Sequence, residues 1–214
     1  MKLYYSPGAC SLASRISLHE AGIDSEFVRV DLDAKVTERG EDFTEINPAG
    51  CVPLLILDDG QPVSENVAIL TLLAEMAPQL GPEGPLAQIR LIQVLSFLST
   101  ELHIAFKPFW HPVSDADKAM ASGAVVKRLT ILEDGLRELY LFGPRFTTAD
   151  AYLFVMLRWA QQFGVPMSDE MTAYFERVAE RPAVRRALAE EGLTIPHPIT
   201  STTARTVNLA VTPA

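Results

Sequence analysis

The sequence has little cysteine and no long hydrophobic run. Its 214 residues contain two cysteines, Cys10 and Cys51, which are too few for a disulfide framework. No apolar stretch is long enough to cross a bilayer, and Pro7 and polar residues interrupt the N-terminal segment before it can form the core of a secretory signal. We therefore expect two free thiols in a reducing compartment, by default the cytoplasm, and no membrane partner.

Positive charge is also scarce, and the sequence has no metal-ligand motif. The 18 Lys and Arg residues against 27 Asp and Glu residues give a net charge of −9, which argues against a nucleic-acid partner. The histidines stand apart, with neither an HExxH motif nor Cys/His ligand spacing. They are His19, His103, His111 and His197. We expect no metal site.

The first 77 residues alternate strand and helix patterns. KLYY and EFVRVDL read as strands, VPLLILDDGQPVS reads as a hairpin, and the polar stretch before the hairpin predicts one poor helix with turns. CSLASRISLHEAG predicts a helix that ends at Gly22, and ENVAILTLLAEMAP predicts a helix that Asn66 caps and Pro78 ends. This order predicts an α/β domain over residues 1–77.

Composition changes after this domain. Residues 78–85 carry three prolines and two glycines, which indicates a linker, and residues 86–193 show helical patterns throughout. The expected helices cover 86–110, with a disturbance near Pro108, then 115–141, 147–164, 168–181 and 182–192. The tail, 194–214, has no helical stripe, and we expect it to be poorly ordered or to add an edge strand.

Cys10 follows a Pro-Gly turn at the predicted start of the first helix. A cysteine there lies near free helix amides and the positive end of the helix dipole, which stabilise a thiolate. A free cysteine is also commonly a small, inert core residue. Because position 13 is Ala13, no dithiol motif is present, and Cys10 is either a single reactive thiol or a core residue.

Pro53 opens the apolar strand run of NPAGCVPLLI. In a thioredoxin-like unit this place holds a cis-proline, which exposes the preceding backbone for pairing with an extended peptide. The alternative is an ordinary trans-proline at the start of a strand.

Glu65 and Asn66 stand at the junction of the predicted hairpin and helix. Free amides at a helix start bind carboxylates, and Glu65 can pair with an amine, so together they suit an α-amino-acid head group. The alternative is that both residues only cap the helix.

Several segments, taken in order and with their spacing, resemble the bacterial beta-class glutathione transferases. They are YYSPGACSLASRISLHEAG, NPAGCVPLLILDDG, SENVAIL, STELH and FTTADAYLFVMLRWA, and the resemblance covers residues 1 to about 193. It implies an α/β, thioredoxin-like N-terminal domain that holds glutathione, an all-α C-terminal domain that lines the electrophile site, and a homodimer.

The resemblance also implies roles for single residues. Cys10 faces the sulfur of glutathione and can form a mixed disulfide with it, His103 approaches the thiol from the second domain, and Tyr5 stands where other classes have a catalytic tyrosine. The residues expected to bind glutathione are Ala9, Ser11, Lys35, Cys51, Val52, Pro53, Glu65 and Asn66.

Within that set, the backbone of Val52 pairs with the cysteinyl group, Glu65 and Asn66 hold the γ-glutamyl end, and Lys35 lies near the glycyl carboxylate. Three positions depart from the usual family residues. Ile104 replaces a lysine, Cys51 replaces a glutamine and Ser96 replaces an asparagine.

Aromatic residues of the long helical segment are expected to line the electrophile pocket, namely Phe106 and Trp110. The alternative is that the aromatics of FWHP fill the core, which we expect for Phe109.

We therefore expect a cytosolic enzyme that stabilises the thiolate of its co-substrate glutathione and conjugates it to a hydrophobic electrophile. Two alternatives stay open. One is a glutathione-dependent thiol-disulfide reductase or peroxidase with Cys10 as the nucleophile, and the other is a binding protein of transferase fold without turnover.

Overall fold

The computed structural model describes residues 1–111, 113–136 and 138–194, so the expectations for the tail lie outside the described residues. The N-terminal part contains a five-stranded mixed sheet with the strand order β3-β2-β1-β4-β5. The strands are β1 Lys2–Tyr5, β2 Glu26–Asp31, β3 Val36–Thr37, β4 Leu54–Ile56 and β5 Pro62–Ser64. The helices of this part are α1 Ser11–Ala21, α2 Phe43–Ile46 and α3 Asn66–Met76.

The sheet topology follows from the connections. β1 pairs parallel with β2, and α1 makes the crossover that parallel pairing requires. β4 and β5 form the predicted antiparallel hairpin, and β4 pairs antiparallel with β1. Among the strands of the described residues, β3 alone was not predicted from the sequence; it has two residues and lies within a polar stretch.

Alternation along β1 divides the core of this part between the two faces of the sheet. Leu3 packs with Leu18 and Ile69, which belong to α1 and α3. Tyr4 points to the opposite face and packs with Phe43 of α2. α1 and α3 therefore cover one face, and the side of α1 turned away from the sheet is free to meet the helical part.

The ends of these helices test two predictions. Gly22 ends α1 in the left-handed region at φ 67°, with its amide bonded to the last turn, as predicted. The expected cap at Asn66 is wrong, because Asn66 is the first helical residue of α3 and Glu65 precedes it at φ 69° without a side-chain capping bond.

The remainder of the chain is helical. Its α-helices are α4 Ala87–Phe97, α5 Asp115–Glu133, α6 Thr148–Gln162, α7 Asp169–Ala179 and α8 Pro182–Glu190. Short 3₁₀ turns cover Pro78–Leu80 and Lys107–Trp110, and a π-helical segment covers Leu98–His103.

Two predicted helices are too long. The α-helical part of the segment 86–110 ends at Phe97, where the backbone widens into the π-helical segment that ends in His103, a feature often found at functional sites. The helix predicted over 115–141 ends at Glu133, shortly before Gly135, and the chain then turns through a bridge between Tyr140 and Gly143.

α6 is the buried centre of the molecule. Thr147 and Asp150 form a capping box at the start of this helix, in which Asp150 accepts the Thr147 amide at 2.7 Å and its hydroxyl at 2.6 Å. The helix is buried nearly all round because it packs against α1 and α3 on one side and against α4, α7 and the π-helical segment on the other. It thereby brings side chains from the helical part to the start of α1.

Within the described residues, no helix combines the length and the apolar character needed to pass through a membrane. Across residues 1–111, 113–136 and 138–194, His, Cys, Asp and Glu side chains do not gather in threes at a metal-binding position.

Candidate active site

The turn between β1 and α1 presents Cys10. The Ser11 hydroxyl closes this turn, since it accepts the Ser6 amide and donates to the Ser6 carbonyl, both at 3.3 Å. The amide of Ala9 donates to the same Ser6 carbonyl at 3.1 Å. Ser11 is fully buried, so its side chain shapes the turn and only its backbone can face a ligand. The expected contact between Ser11 and glutathione is thereby reduced to the peptide amide.

Cys10 is half-buried and forms the N-cap of α1. Its Sγ donates to the carbonyl of Val52 at 3.7 Å. Burial raises the pKa of the Cys10 thiol to about 12, although the amides of Cys10 and Ser11 act to lower it. The expectation of a depressed pKa is therefore wrong for the ligand-free protein, because the loss of solvation outweighs the helix-start amides.

The loop before β4 faces Cys10. The peptide between Val52 and Pro53 is cis, as the thioredoxin-like interpretation predicts. Val52 lies in the loop just before β4 with its carbonyl turned to Cys10, and its amide has no acceptor among the described residues. The backbone of Val52 therefore offers a donor and an acceptor beside the thiol.

Lys35 and Cys51 lie on the same loop system. The ammonium of Lys35 donates to the carbonyl of Gly50 at 2.9 Å, which fixes the cation beside the cis-proline loop. Cys51 is exposed, and its Sγ donates to the carbonyl of Ala49 at 3.3 Å. The remaining ammonium hydrogens of Lys35 can donate to an anionic group bound beside Gly50.

The start of α3 lies against the same turn. Asn66 is buried, and its side chain donates to the Cys10 carbonyl at 3.1 Å and accepts from the Ser14 hydroxyl at 2.9 Å. The side-chain amide of Asn66 therefore holds α3 to α1. Neither Glu65 nor Asn66 caps α3 through its side chain. Glu65 is exposed, beside first-turn amides that lack intrahelical acceptors.

His103 ends the π-helical segment and packs against Tyr152 and Trp159 of α6, and Trp159 is itself bonded to the turn that carries Cys10. Its Nδ1 lies 2.8 Å from the hydroxyl of Tyr152, and its ring meets that of Trp159 edge-on at 4.9 Å between centroids. Burial, and to a lesser degree the charge of Lys107, lower the pKa of His103 to about 4. The imidazole is therefore neutral at physiological pH and can offer a hydrogen bond but no charge.

Tyr5 lies in the interior at the end of β1. It is buried, and the guanidinium of Arg15 stacks on its ring at 4.2 Å. Arg15 lies in the second turn of α1, and its guanidinium also covers the ring of Phe27 at 4.1 Å. The ring of Tyr5 is therefore held between the sheet and the buried cation of Arg15, and the expected catalytic role of its hydroxyl stays a prediction.

The two residues expected to line an electrophile pocket differ in burial. Phe106 is fully buried, with its ring 5.6 Å from that of Trp159, so its assignment to the pocket is wrong and it belongs to the core. Trp110 is 45% exposed and meets Trp159 edge-on at 4.6 Å. Phe109 is half-buried and stacks on Phe163 at 5.0 Å, as expected for an aromatic that fills the core.

Three residues that the sequence did not single out hold this site together. Trp159 donates its indole N–H to the Gly8 carbonyl at 2.8 Å, and Glu191 accepts the Gly8 amide at 2.8 Å. Tyr152 contacts His103, as described above. The available signal was the presence of a phenol and an indole on the apolar helix α6, since buried polar atoms need partners.

Comparison with known proteins gives a consistent result for both parts. The family model for the glutathione S-transferase N-terminal domain matches residues 8–76, and that for the C-terminal domain matches residues 97–182. The chain belongs to the glutathione S-transferase family. It is 42% identical over 200 residues to glutathione S-transferase GstA from Escherichia coli O157:H7, a match that covers 90% of this chain and all of the relative.

Solved structures agree with this assignment. The glutathione S-transferase of a sphingomonad, complexed with glutathione, superposes with a TM-score of 0.84 at 46% identity, over 91% of this chain and all of that one. The beta-class enzyme of Sphingomonas chungbukensis gives the same TM-score at 45% identity and the same coverages. The beta-class resemblance, the fold, the enzyme class and glutathione as co-substrate are thereby confirmed.

Proposed function

We propose that this transferase binds glutathione across the start of α1, the cis-proline loop and the start of α3, and conjugates its thiolate to a hydrophobic electrophile. The observation that carries this proposal is the contact of Cys10 Sγ with the Val52 carbonyl at 3.7 Å. It brings the amides at the start of α1 and the backbone of the cis-proline loop to one point, where a sulfur between them would meet several donors.

Binding would proceed through three groups of contacts. The cysteinyl part of glutathione would pair with the amide and carbonyl of Val52, which displaces the Cys10 thiol from that carbonyl. The γ-glutamyl carboxylate would accept from the free amides at the start of α3, and Glu65 would hold the ammonium group. The glycyl carboxylate would meet Lys35, which is already held by Gly50.

Activation of glutathione would follow from donors directed at its sulfur. The amides of Cys10 and Ser11 act on an anion at the position of the Cys10 sulfur, where each lowers the pKa of a thiol. The neutral His103 would add an N–H donor. The glutathione thiol would lose its proton to water, and the thiolate would attack the electrophile, whose leaving group departs with the electron pair.

Initial rates with glutathione and an activated halonitrobenzene test the proposal. We expect saturable conjugation that Cys10→Ala largely retains, because the nucleophile is the sulfur of glutathione. Val52→Pro removes the backbone donor and should raise the KM for glutathione at least tenfold, whereas Val52→Ala, the matched control, keeps the donor. Saturable glutathione binding in calorimetry without conjugation of any electrophile would overturn the transferase role and favour a binding protein.

Thiol-disulfide chemistry at Cys10 is the second candidate. It is favoured by the partial exposure of Cys10 and by its position at the expected site of the glutathione sulfur. The raised pKa of Cys10 argues against thiol-disulfide chemistry, because the thiol rather than the thiolate predominates at neutral pH. Intact-protein mass spectrometry after treatment with oxidised glutathione distinguishes the candidates, since only the redox mechanism requires an adduct that Cys10→Ala abolishes and that glutathione removes.

The homodimer and the cytoplasmic location are supported by different features of the chain. α4 leaves apolar side chains in solvent, with Leu86 67% exposed before its start and Ile89 60% exposed, which supports a homodimer through this surface. Sedimentation equilibrium that returns a single species of 23.5 kDa at micromolar concentration would contradict the dimer. Two free thiols support a reducing compartment and hence the cytoplasm.

We also propose that the chain divides into two domains joined by a linker. Residues 1–77 would form the glutathione domain, 78–85 the linker and 86–193 the electrophile domain. The proposal is supported by the end of α3 at Met76 and the start of α4 at Ala87. Limited proteolysis should cut first within the linker.

A further inference from the structure

Tyr152 places a phenol in the middle of the apolar helix α6. The residue is 1% exposed, and its hydroxyl lies 2.8 Å from Nδ1 of His103. A buried hydroxyl needs partners, and besides Nδ1 of His103 the side chains of Ser99 and Asn66 lie near enough to donate to this oxygen, which leaves the phenol proton for Nδ1. Cys10 and Glu65 lie close enough to act on the charge of the phenol, which therefore stands at the boundary between the two parts of the site.

The chemistry of the two groups decides which one donates. A phenol, with a pKa near 10, is a better donor than a neutral imidazole, whose pyridine-type nitrogen is a good acceptor. Burial raises the pKa of Tyr152 and lowers that of His103, so both groups are neutral at physiological pH. The hydroxyl of Tyr152 therefore donates to Nδ1, which leaves the single ring proton of His103 on Nε2.

The ring of His103 is restrained in a second way. It meets the ring of Trp159 edge-on at an interplanar angle of 71°, and the ring of Tyr152 at 87°. Trp159 is itself fixed by its bond to Gly8 in the turn of Cys10. The hydrogen bond sets which nitrogen carries the proton, while the aromatic contacts set the plane in which that N–H points.

We propose that Tyr152 is a positioning residue, which holds His103 in the tautomer with the proton on Nε2 and so supplies the N–H donor to the sulfur of bound glutathione. The role at the sulfur of glutathione rests on the proposed function, whereas the tautomer of His103 does not depend on it. Tyr152 acts through His103 and touches no reacting atom. The charged group that acts on His103 itself is Lys107, which disfavours the imidazolium form and leaves the tautomer to Tyr152.

Nitrogen NMR of uniformly labelled, ligand-free protein at neutral pH tests the tautomer directly. We expect the His103 ring, identified by the loss of its signals in His103→Gln, to show a protonated Nε2 and an unprotonated Nδ1. A protonated Nδ1, or an averaged mixture of tautomers, in the unmodified protein would overturn the proposal without recourse to any variant of Tyr152.

Tyr152→Phe tests the consequence for glutathione. Loss of the hydrogen bond to Nδ1 should mix the two tautomers of His103. The apparent pKa of bound glutathione, measured by the ultraviolet absorbance of its thiolate, should then rise by about one unit. Below that pKa, kcat/KM should fall about tenfold. The loss should fade at high pH, and the KM for glutathione should change less than twofold. The control Tyr140→Phe, which removes a buried hydroxyl bonded to Arg181 outside the site, should leave the thiol pKa unchanged. An unchanged thiol pKa in Tyr152→Phe would overturn the proposal.

A double-mutant cycle separates positioning from a general structural effect. In a His103→Ala background, Tyr152→Phe should change kcat/KM by less than twofold, because its effect passes through the imidazole. A full tenfold loss in that background would overturn the proposal. If calorimetry detected no binding of glutathione, the proposed function would fail, and the NMR result on the free protein would still decide the tautomer.

Discussion

The indole N–H of Trp159 donates to the carbonyl of Gly8 across 2.8 Å, and this bond ties α6 to the turn that carries Cys10. The amide of the same Gly8 donates to Glu191, just beyond α8, at 2.8 Å. Both polar backbone groups of one residue in the turn are therefore held by the helical part. The position of Cys10 depends on packing that is more than 140 residues away in sequence, since Trp159 and Gly8 are 151 residues apart.

Trp159→Phe should weaken both the fold and the site. The substitution leaves the buried carbonyl of Gly8 without its donor, which costs about 1–3 kcal/mol in the free energy of unfolding. Because the turn then loses one of its two anchors, we also expect kcat/KM to fall. Urea unfolding and initial rates measure the two effects. Trp110→Phe is the matched control, since Trp110 is half-exposed and should change the stability by less than about 0.5 kcal/mol. Equal losses in both variants would contradict the prediction.

Glu191 should make stability depend on pH. Burial raises its pKa from 4.5 to about 7, against the opposing effects of the Gly8 amide and Arg15. Because the folded protein then binds the proton more tightly than the unfolded chain, the contribution of this group to stability is greatest below pH 4.5 and is lost as the pH rises to 7.

A substitution that removes the titrating carboxyl of Glu191 should also remove this part of the pH dependence of stability. Glu191→Gln keeps an acceptor for the Gly8 amide. Between pH 5 and 7.5, the free energy of unfolding of this variant should fall less than that of the unmodified protein. The difference between the two decreases should be roughly 3 kcal/mol at most. Urea titrations across this range provide the measurement. Glu190→Gln is the control, because the pKa of Glu190 is lowered, its hydrogen bonds with Arg186 and His19 outweighing its partial burial. Identical pH slopes for Glu191→Gln and the unmodified protein would refute the prediction.

The two cysteines should differ in reactivity. With a pKa of about 12 and a half-buried sulfur, Cys10 in the ligand-free protein should react with iodoacetamide at neutral pH at least a hundredfold more slowly than an unperturbed thiol. Cys51 is exposed and should be alkylated first. Peptide mass spectrometry over a time course measures both rates, with Cys51→Ser to isolate Cys10. Faster modification of Cys10 than of Cys51 would contradict the raised pKa.

Phe106 and Trp110 should separate stability from substrate recognition. Phe106 is fully buried among aromatic rings, so Phe106→Ala should cost about 3–5 kcal/mol in the free energy of unfolding. Trp110→Ala should cost much less and should instead raise the KM for an aromatic electrophile, with the KM for glutathione unchanged. Urea unfolding and two-substrate kinetics check this, and the opposite assignment of effects would restore Phe106 to the pocket.

Local pattern determined much of the fold. The alternation of KLYY and EFVRVDL, the DDG turn of the hairpin and the glycine at position 22 act over a few residues, and the structure has the elements that they predict. The capping box of Thr147 and Asp150 was equally readable, because both partners lie within one helical turn. The resemblance added the family, and the likeness to solved structures confirmed it. The glutathione contacts themselves stay predictions.

Tertiary structure decided what each site residue does. Tyr5, Phe106 and Ser11 have suitable positions in the sequence, yet packing directs the first against Arg15, buries the second and closes the turn with the third. The pKa of Cys10 is likewise set by burial between the two parts of the chain, which outweighs the helix-start amides that the sequence made visible. Burial and side-chain partners arise from segments that are distant in sequence, and a local pattern carries no record of which distant segments will meet.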